Sequence, residues 1–438
     1  MTSPQRRQEI IDALRRGTVP RQGLDAFAVG LERFERAIGD EMDTVGRGGA
    51  VFKALCGEYG SGKTFFARWL EERAKRLGFA TAEVQISETE TPLHRLETVY
   101  RRLMERLSTS AQPDGALRAV IDGWFFALEQ DVLAEGNVAE SDGAALVERS
   151  TALMEQRLAG ITRTAPAFAA ALRAYREATA GANPAIADGM LAWLGGEPNV
   201  GAEVKRFARI KGDVDHFGAL SFLQGLLVVL RDSGHPGLLV VLDEVETLQR
   251  VRGDVREKGL NAIRQLIDEV DAGRFPGLYL LITGTPAFFD GPQGIQRLPP
   301  LAQRLHVDFA TEARFDNPRA VQIRLPGFTP ERLEEVGRKV RDLYAEHAPA
   351  AERIRAAVDD AYVAALAGAV TGNLGGRVGV APRVFLKKLV SDVLDRVDQF
   401  ADFDPRRHYA LTIDDAELTA VERRARGAAT PDDIALDL

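Results

Sequence analysis

The chain contains a single cysteine, Cys56, in 438 residues, so no internal disulfide can form. That excludes a disulfide framework and sets the expectation of a reducing compartment, with Cys56 a small apolar residue at a strand end. Long apolar runs are missing as well. The greasiest stretch, Phe217 to Leu230, is interrupted by Gly218, Ser221, Gln224 and Gly225 and is too short to span a bilayer. The opening Met1-Thr2-Ser3-Pro4-Gln5-Arg6-Arg7 runs into a polar helical pattern rather than the apolar core of a secretory signal. There is no excess of basic residues: the formal charge is -8. No overall cationic surface points to nucleic acid, although a local cationic channel is compatible with an acidic average. Of the six histidines (His94, His216, His235, His306, His347 and His408) no two have metal-ligand spacing. These absences predict a cytoplasmic protein with no membrane span.

With 45% hydrophobic and 27% charged residues, the chain has enough apolar material for a sizeable core, which sets disordered and fibrous classes aside. Helical periodicity covers Arg6 to Arg16 and Leu24 to Ile38, with a break over Thr18 to Gly23. After a turn at Gly46 to Gly49, the apolar run Ala50 to Cys56 reads as a buried strand. A glycine-rich loop follows, then a helix over Lys63 to Leu77 with Phe66, Trp69, Leu70 and Leu77 on one face. Alternation predicts a strand over Phe79 to Ser87, and Leu93, Leu96, Tyr100, Leu103 and Leu107 mark a helix. From Ala111 to Asn199 the pattern is helical throughout, broken at Asp142-Gly143, Gly160 and Gly181 to Pro184. Trp124, Phe125, Phe126 and Trp193 in this insertion read as core aromatics.

Strands at Leu238 to Leu242, Leu278 to Thr283 and Ala320 to Leu325, with a helix over Glu257 to Val270, predict a parallel α/β sheet flanked by helices. Thr329 then caps a helix starting at Pro330, striped by Leu333, Val336, Val340 and Leu343. Further helices over Ala350 to Ala369 and Pro382 to Phe400 complete a small helical lid. An acidic tail runs from Ala401 to Leu438, with a helix near Asp414 to Arg426. The expected division is an N-terminal helical segment (1–45), a core (46–325) carrying the insertion at about 111–199, a lid (326–402) and the tail (403–438).

One segment carries a specific chemistry. Gly57-Glu58-Tyr59-Gly60-Ser61-Gly62-Lys63-Thr64 fits G-x-x-x-x-G-K-[ST] at every fixed position, between an apolar strand and an amphipathic helix. Glycines let backbone N–H groups curl round phosphates, and the helix opening at Lys63 turns its positive end towards them. Lys63 is expected to reach the β- and γ-phosphates and the Thr64 hydroxyl to ligate Mg²⁺. These eight residues, with Phe65 after them, are the expected ATP-binding set. The metal partner is expected in Leu238-Leu239-Val240-Val241-Leu242-Asp243-Glu244, where two carboxylates end a buried strand, the end at which open α/β sheets bind ligands. Asp243 is assigned to Mg²⁺ and Glu244 to the attacking water as general base, with Glu246 a spare carboxylate.

Three further positions complete the candidate catalytic set. A strand between the loop strand and the Asp-Glu strand would set a polar side chain beside the lytic water; Thr283 is the first choice and Thr285 the second. Arg304, at the end of a short helix, suits a charge presented to a neighbouring subunit's γ-phosphate. Arg383, following Pro382 in Gly379-Val380-Ala381-Pro382-Arg383, stands in a helix first turn, where a cation is electrostatically disfavoured; a nucleotide contact would account for it. No Asn-Lys-x-Asp motif points to GTP.

With these motifs the chain resembles the AAA+ ATPases related to origin-recognition and transposition ATPases. That resemblance implies nucleotide at subunit interfaces and a homo-oligomer in the presence of ATP. More narrowly, Gly57 to Leu70, Phe79 to Leu103, Leu238 to Leu248 and Asp404-Pro405-Arg406-Arg407-His408-Tyr409 are similar to the BrxD family, ATP-binding proteins of bacteriophage-exclusion (BREX) defence. The likeness implies a motor or switch that hydrolyses ATP, with other BREX defence proteins as partners and DNA open as a further one. A departure from the origin-recognition pattern is that no winged-helix signal follows the lid. Two alternatives to the motor stay open at this stage, a nucleotide-gated scaffold with negligible turnover and a DNA-associated loading or transposition regulator.

Overall fold

The computed structural model describes residues 3–136, 138–139, 141–346, 348–374, 381–419, 422–423 and 426. His347, Gly379 and Val380 lie outside them, as do Ala420, Val421, Arg424 and Ala425 of the helix expected near Asp414 to Arg426 and the residues after Arg426.

Helix α1 (Pro4–Arg15) starts where the Ser3 hydroxyl accepts the Arg6 N–H and Pro4 pre-sets the first turn. Helix α2 (Glu32–Gly46) begins later than periodicity suggests. Leu24–Ala26 is only a 3₁₀ turn, and Gly30, at φ 73°, ends that turn segment in a conformation no helix continues through. Then come β1 (Val51–Cys56), α3 (Lys63–Arg76), β2 (Ala80–Gln85) and α4 (Leu96–Glu105). A helical stretch follows: α5 (Leu117–Ala134), α6 (Gly143–Thr164), α7 (Pro166–Ala180), α8 (Pro184–Leu194), α9 (Ala202–Phe207) and α10 (His216–Asp232). The sheet resumes with β3 (Leu238–Asp243), α11 (Gly253–Asp271), β4 (Leu278–Gly284), α12 (Pro286–Asp290), α13 (Pro299–Leu305) and β5 (Gln322–Arg324). The C-terminal helices are α14 (Pro330–Ala345), α15 (Ala351–Ala357), α16 (Asp360–Asn373), α17 (Pro382–Lys388), α18 (Asp395–Gln399) and α19 (Pro405–His408).

The five strands form one sheet in the order β2-β3-β4-β1-β5, with β3 parallel to both β2 and β4. All residues of β3 and β4 are buried. Strands covered on both faces read as continuous apolar runs, which is why Leu238 to Leu242 shows no alternation. This is the α/β class expected from the sequence.

The chain divides into two compact units: Met1–Ala37 with Leu55–Glu72 and Asp308–Leu438, and Ile38–Ala54 with Arg73–Val307. In the second, Lys53 is only 2% exposed and ion-pairs with Glu41, which also accepts the Tyr279 hydroxyl at 2.6 Å. That ties β1 and β4 to α2, and burial pushes the Tyr279 hydroxyl far above its ordinary pKa. The helical stretch does not end at Asn199 but runs on through α10, whose Phe222, Leu226 and Leu230 are buried. The apolar run at Phe217 to Leu230 is thus a core helix. Around it Trp124 and Trp193 are buried, and Trp193 meets Phe222 edge-on at 5.2 Å. Phe126, by contrast, is 61% exposed. Successive helical residues point about 100° apart, so Trp124, Phe125 and Phe126 cannot all face inwards.

In the first unit, α1 packs with the C-terminal helices. Arg15 forks onto the Asp395 carboxylate at 2.7 and 2.8 Å, the Tyr344 hydroxyl donates to the same group at 2.8 Å, and Arg7 donates to the Tyr344 carbonyl. The helix expected over Ala350 to Ala369 is two helices, because Val358 leaves helical geometry and the Asp359 carboxylate caps α16 at Tyr362. Between α17 and α18 the chain adopts a π-helical turn, Leu389–Leu394. Among the described residues no helix is long and apolar enough to cross a membrane.

Replacing Asp395 by Ala strands the Arg15 guanidinium and the Tyr344 hydroxyl. The expected cost is about 2–4 kcal/mol, read as a lowered midpoint in thermal unfolding. Asp395→Asn, which keeps the hydrogen-bond acceptor, should lose roughly half as much.

Candidate functional site

Two clusters of the expected residues take shape, one in each unit. In the first unit the main chain leaves β1 at the buried Cys56 and enters α3 at Lys63 through a turn that only glycine can follow. Gly60 and Gly62 sit at φ 80° and 95°, and a Cβ on Gly57 would stand 2.5 Å from the Ser61 hydroxyl. Lys63 is buried, and its ammonium donates to the Gly57 and Glu58 carbonyls at 2.8 and 3.3 Å, 5.1 Å from the Tyr59 ring centroid. The Ser61 hydroxyl is buried with no hydrogen-bond partner among the described residues, an orphaned polar atom inside the turn. Glu58 is exposed and Thr64 half-buried at the helix start.

Helix α3 is held from behind by the N-terminal segment. The Glu72 carboxylate accepts the Gly23 and Leu24 N–H groups, both at 3.0 Å, and the Trp69 indole donates to Asp25 at 2.8 Å. Phe65 meets Phe27 edge-on at 5.2 Å, and Phe66 meets Phe34 at 5.3 Å. Phe65 is thus in contact with the segment preceding α2.

In the second unit Asp243 ends β3, only 4% exposed, and accepts a short hydrogen bond from the Thr283 hydroxyl on β4. Glu244 follows in left-handed geometry, φ 60° and ψ 43°, which costs a non-glycine residue about 1–2 kcal/mol. Its N–H is held by both neighbours, donating to Asp243 Oδ1 at 3.1 Å and Thr283 Oγ1 at 3.2 Å. The Glu244 carboxylate in turn accepts from the Gln85 amide at 2.7 Å. The parallel register places Gln85, the last residue of β2, opposite Asp243. Asp243, Glu244, Thr283 and Gln85 therefore form one connected cluster.

Gln85 was not anticipated from the sequence. Its only signal is that it ends a strand, and which strand lies beside β3 is a matter of topology. Thr285, the second choice, is buried at the start of α12 and makes no capping hydrogen bond. Glu246 is buried in the 3₁₀ turn Val245–Arg250. Arg304 ends α13 half-exposed, with Nη2 2.5 Å from the Asp268 carboxylate on α11. Arg383, in the first unit with the glycine turn, is engaged by the C-terminal segment: Nε donates to Glu422 at 2.9 Å and Nη2 to the Glu417 carbonyl at 2.7 Å.

Exchanging Thr283 for Val keeps the shape but removes the hydroxyl that bridges Asp243 and the Glu244 N–H. A loss of about 1–3 kcal/mol is expected, measured as a shift in the unfolding midpoint, because the buried Asp243 and the half-buried Glu244 each lose a bond.

Comparison with known proteins supplies the family. The model for the BREX system ATP-binding protein BrxC/D family matches residues 2–413. No curated protein and no solved structure matches the chain. The sheet, the glycine turn between β1 and α3 and the acidic end of β3 are those of a P-loop NTPase fold. With the match covering nearly the whole length, the chain belongs to the BrxC/D family of BREX system ATP-binding proteins.

Proposed function

We propose that this protein hydrolyses ATP and uses the cycle as a motor or switch in a cytoplasmic BREX defence complex. The observation that carries the reading is the Glu244 carboxylate, placed by a strained backbone and oriented by the Gln85 amide, in a chain that also holds a complete glycine-lysine turn. A protein that only stored nucleotide would gain little from maintaining that strain.

In this reading the N–H groups of Gly57 to Thr64 cradle the phosphates, and Lys63 exchanges its carbonyl partners for phosphate oxygens. The buried Ser61 hydroxyl gains a partner. Thr64 and Asp243 are the oxygen donors that suit Mg²⁺, a cation that completes its shell with water and phosphate. When bound, Mg²⁺ neutralises charge on the β- and γ-oxygens. Glu244 takes the proton of the attacking water, while Thr283 keeps Asp243 and the Glu244 backbone in place. Gln85 is a positioning residue: its amide holds the base, and release of that hydrogen bond frees the carboxylate to turn. Arg383 contacts nucleotide phosphate, and Arg304 acts on a neighbouring copy once its partner Asp268 lets go.

ATP affinity and phosphate release test this directly. Lys63→Ala should lose binding. Glu244→Gln should bind ATP like the native protein but turn over about 100-fold or more slowly. If neither the native protein nor Glu244→Gln releases phosphate, the chain is a nucleotide-gated scaffold instead; equal, measurable rates in both would remove Glu244 from the role of base. Gln85→Ala should alter kcat and leave ATP affinity within about twofold, as a positioning role requires. For the intersubunit role, particle mass with ATP and with ADP should differ, and Arg304→Ala should slow turnover while preserving ATP affinity. Native turnover by a monomer would exclude that role.

A further inference from the structure

Helix α17 presents three cations in sequence, Arg383, Lys387 and Lys388, and the C-terminal segment answers each with a carboxylate. Arg383 forks onto Glu422 through Nε at 2.9 Å and Nη2 at 2.5 Å. Lys387 and Lys388 reach the Glu417 carboxylate at 3.0 and 2.8 Å, and Lys388 also faces Asp392 at 3.3 Å. Desolvation pushes the Glu417 carboxyl up, but the hydrogen bonds from Lys388 and Lys387 outweigh it and hold its pKa down at about 2.

The segment is built to make this contact. Asp414 and Glu417 form a capping box, and the Thr419 N–H donates to the Glu422 carboxylate at 2.7 Å. Ile413 and Leu418 are buried, as is Glu422 itself at 5% exposure. A buried carboxylate forked by arginine is a committed interaction, unlike a surface ion pair, which contributes little. On its other side the Arg383 guanidinium closes on the turn after α1, where Nη1 would lie 3.3 Å from a Cβ at Gly17.

Carboxylate and phosphate accept the same two-pronged arginine fork. The Nε–Nη2 edge that a phosphate would use is the edge Glu422 occupies. We propose that the Glu417 and Glu422 carboxylates act as an internal inhibitory ligand of α17: Glu422 stands where a nucleotide phosphate would be held by Arg383, so ATP must displace it. This rests on Arg383 contacting nucleotide in the proposed function. A segment that competes for one guanidinium lowers apparent ATP affinity by the fraction of time it is docked, and whatever draws the acidic segment away raises it. The contact is therefore a place where a partner offering a basic surface to Glu417 and Glu422 would activate the protein.

Calorimetric titration of the full chain with Mg·ATP tests the latch in four variants: native, Glu422→Gln, Arg383→Ala and the double substitution. Glu422→Gln should bind ATP about five- to tenfold tighter, the scale expected from losing one charge-assisted fork. Arg383→Ala should bind more weakly than native, and adding Glu422→Gln to it should change nothing. Glu422→Asp keeps the charge but shortens the reach, and should shift affinity in the same direction as Glu422→Gln. If Glu422→Gln and Glu422→Asp lower the unfolding midpoint yet bind ATP with native affinity, the contact is a structural staple and the proposal is wrong. In that case Lys63→Ala still loses binding and the ATP reading survives. Were the native protein not to bind ATP at all, the proposed function would fall and the latch with it.

Discussion

The stretch of main chain from Cys56 to Lys63 constrains everything built around it. Two residues in left-handed geometry and a third with no room for a side chain bend the backbone back on itself, and the lysine closes the bend by donating to its own carbonyls. Such a turn is of the kind that receives anions, and it carries one buried hydroxyl, that of Ser61, inside it. It keeps its shape only if the strand before it and the helix after it cannot move. Burial of β1 secures the first, and the N-terminal segment secures the second through Glu72, Trp69 and the paired phenylalanine rings.

A similar economy governs the acidic end of β3. The left-handed backbone at Glu244 is unfavourable in isolation, and two hydrogen bonds to its N–H offset it. The consequence is that the aspartate and the glutamate are not equivalent. Asp243 is held by Thr283 in the sheet, whereas Glu244 projects from a strained turn and its carboxylate accepts from the Gln85 amide. In the proposed function this makes Asp243 a fixed ligand beside a movable base, so that turnover could be gated without disturbing nucleotide binding. The arginines are held likewise: Arg304 and Arg383 are both engaged by carboxylates, Asp268 and Glu422, so the phosphate roles proposed for them require exchanging one anion for another.

The family match spans residues 2–413, which includes both the glycine turn and the helices that carry Arg383. The N-terminal helix belongs with those helices: Arg15 and Arg7 fasten it to Asp395 and Tyr344, partners more than three hundred positions away in the chain. A linear reading places it as a segment ahead of the core, because nothing local in Pro4 to Arg15 names a distant acceptor.

What the sequence determined by itself was what local chemistry dictates. The eight-residue loop, the apolar runs of β1, β3 and β4, the Thr329 cap and the carboxylates closing Leu238 to Glu244 each follow from residue types at fixed short spacings. Even the break at Val358 had a local sign in Asp359, although the periodicity on either side hid it. Tertiary structure alone decided which strand lies beside which, and so that Gln85 would meet Glu244, that Phe126 would face water, and that the acidic tail would close on Arg383. The physical reason is range: periodicity and capping act over a few residues, whereas strand order and ion-pair choice are set by burial of the whole core, which no single stretch of chain encodes.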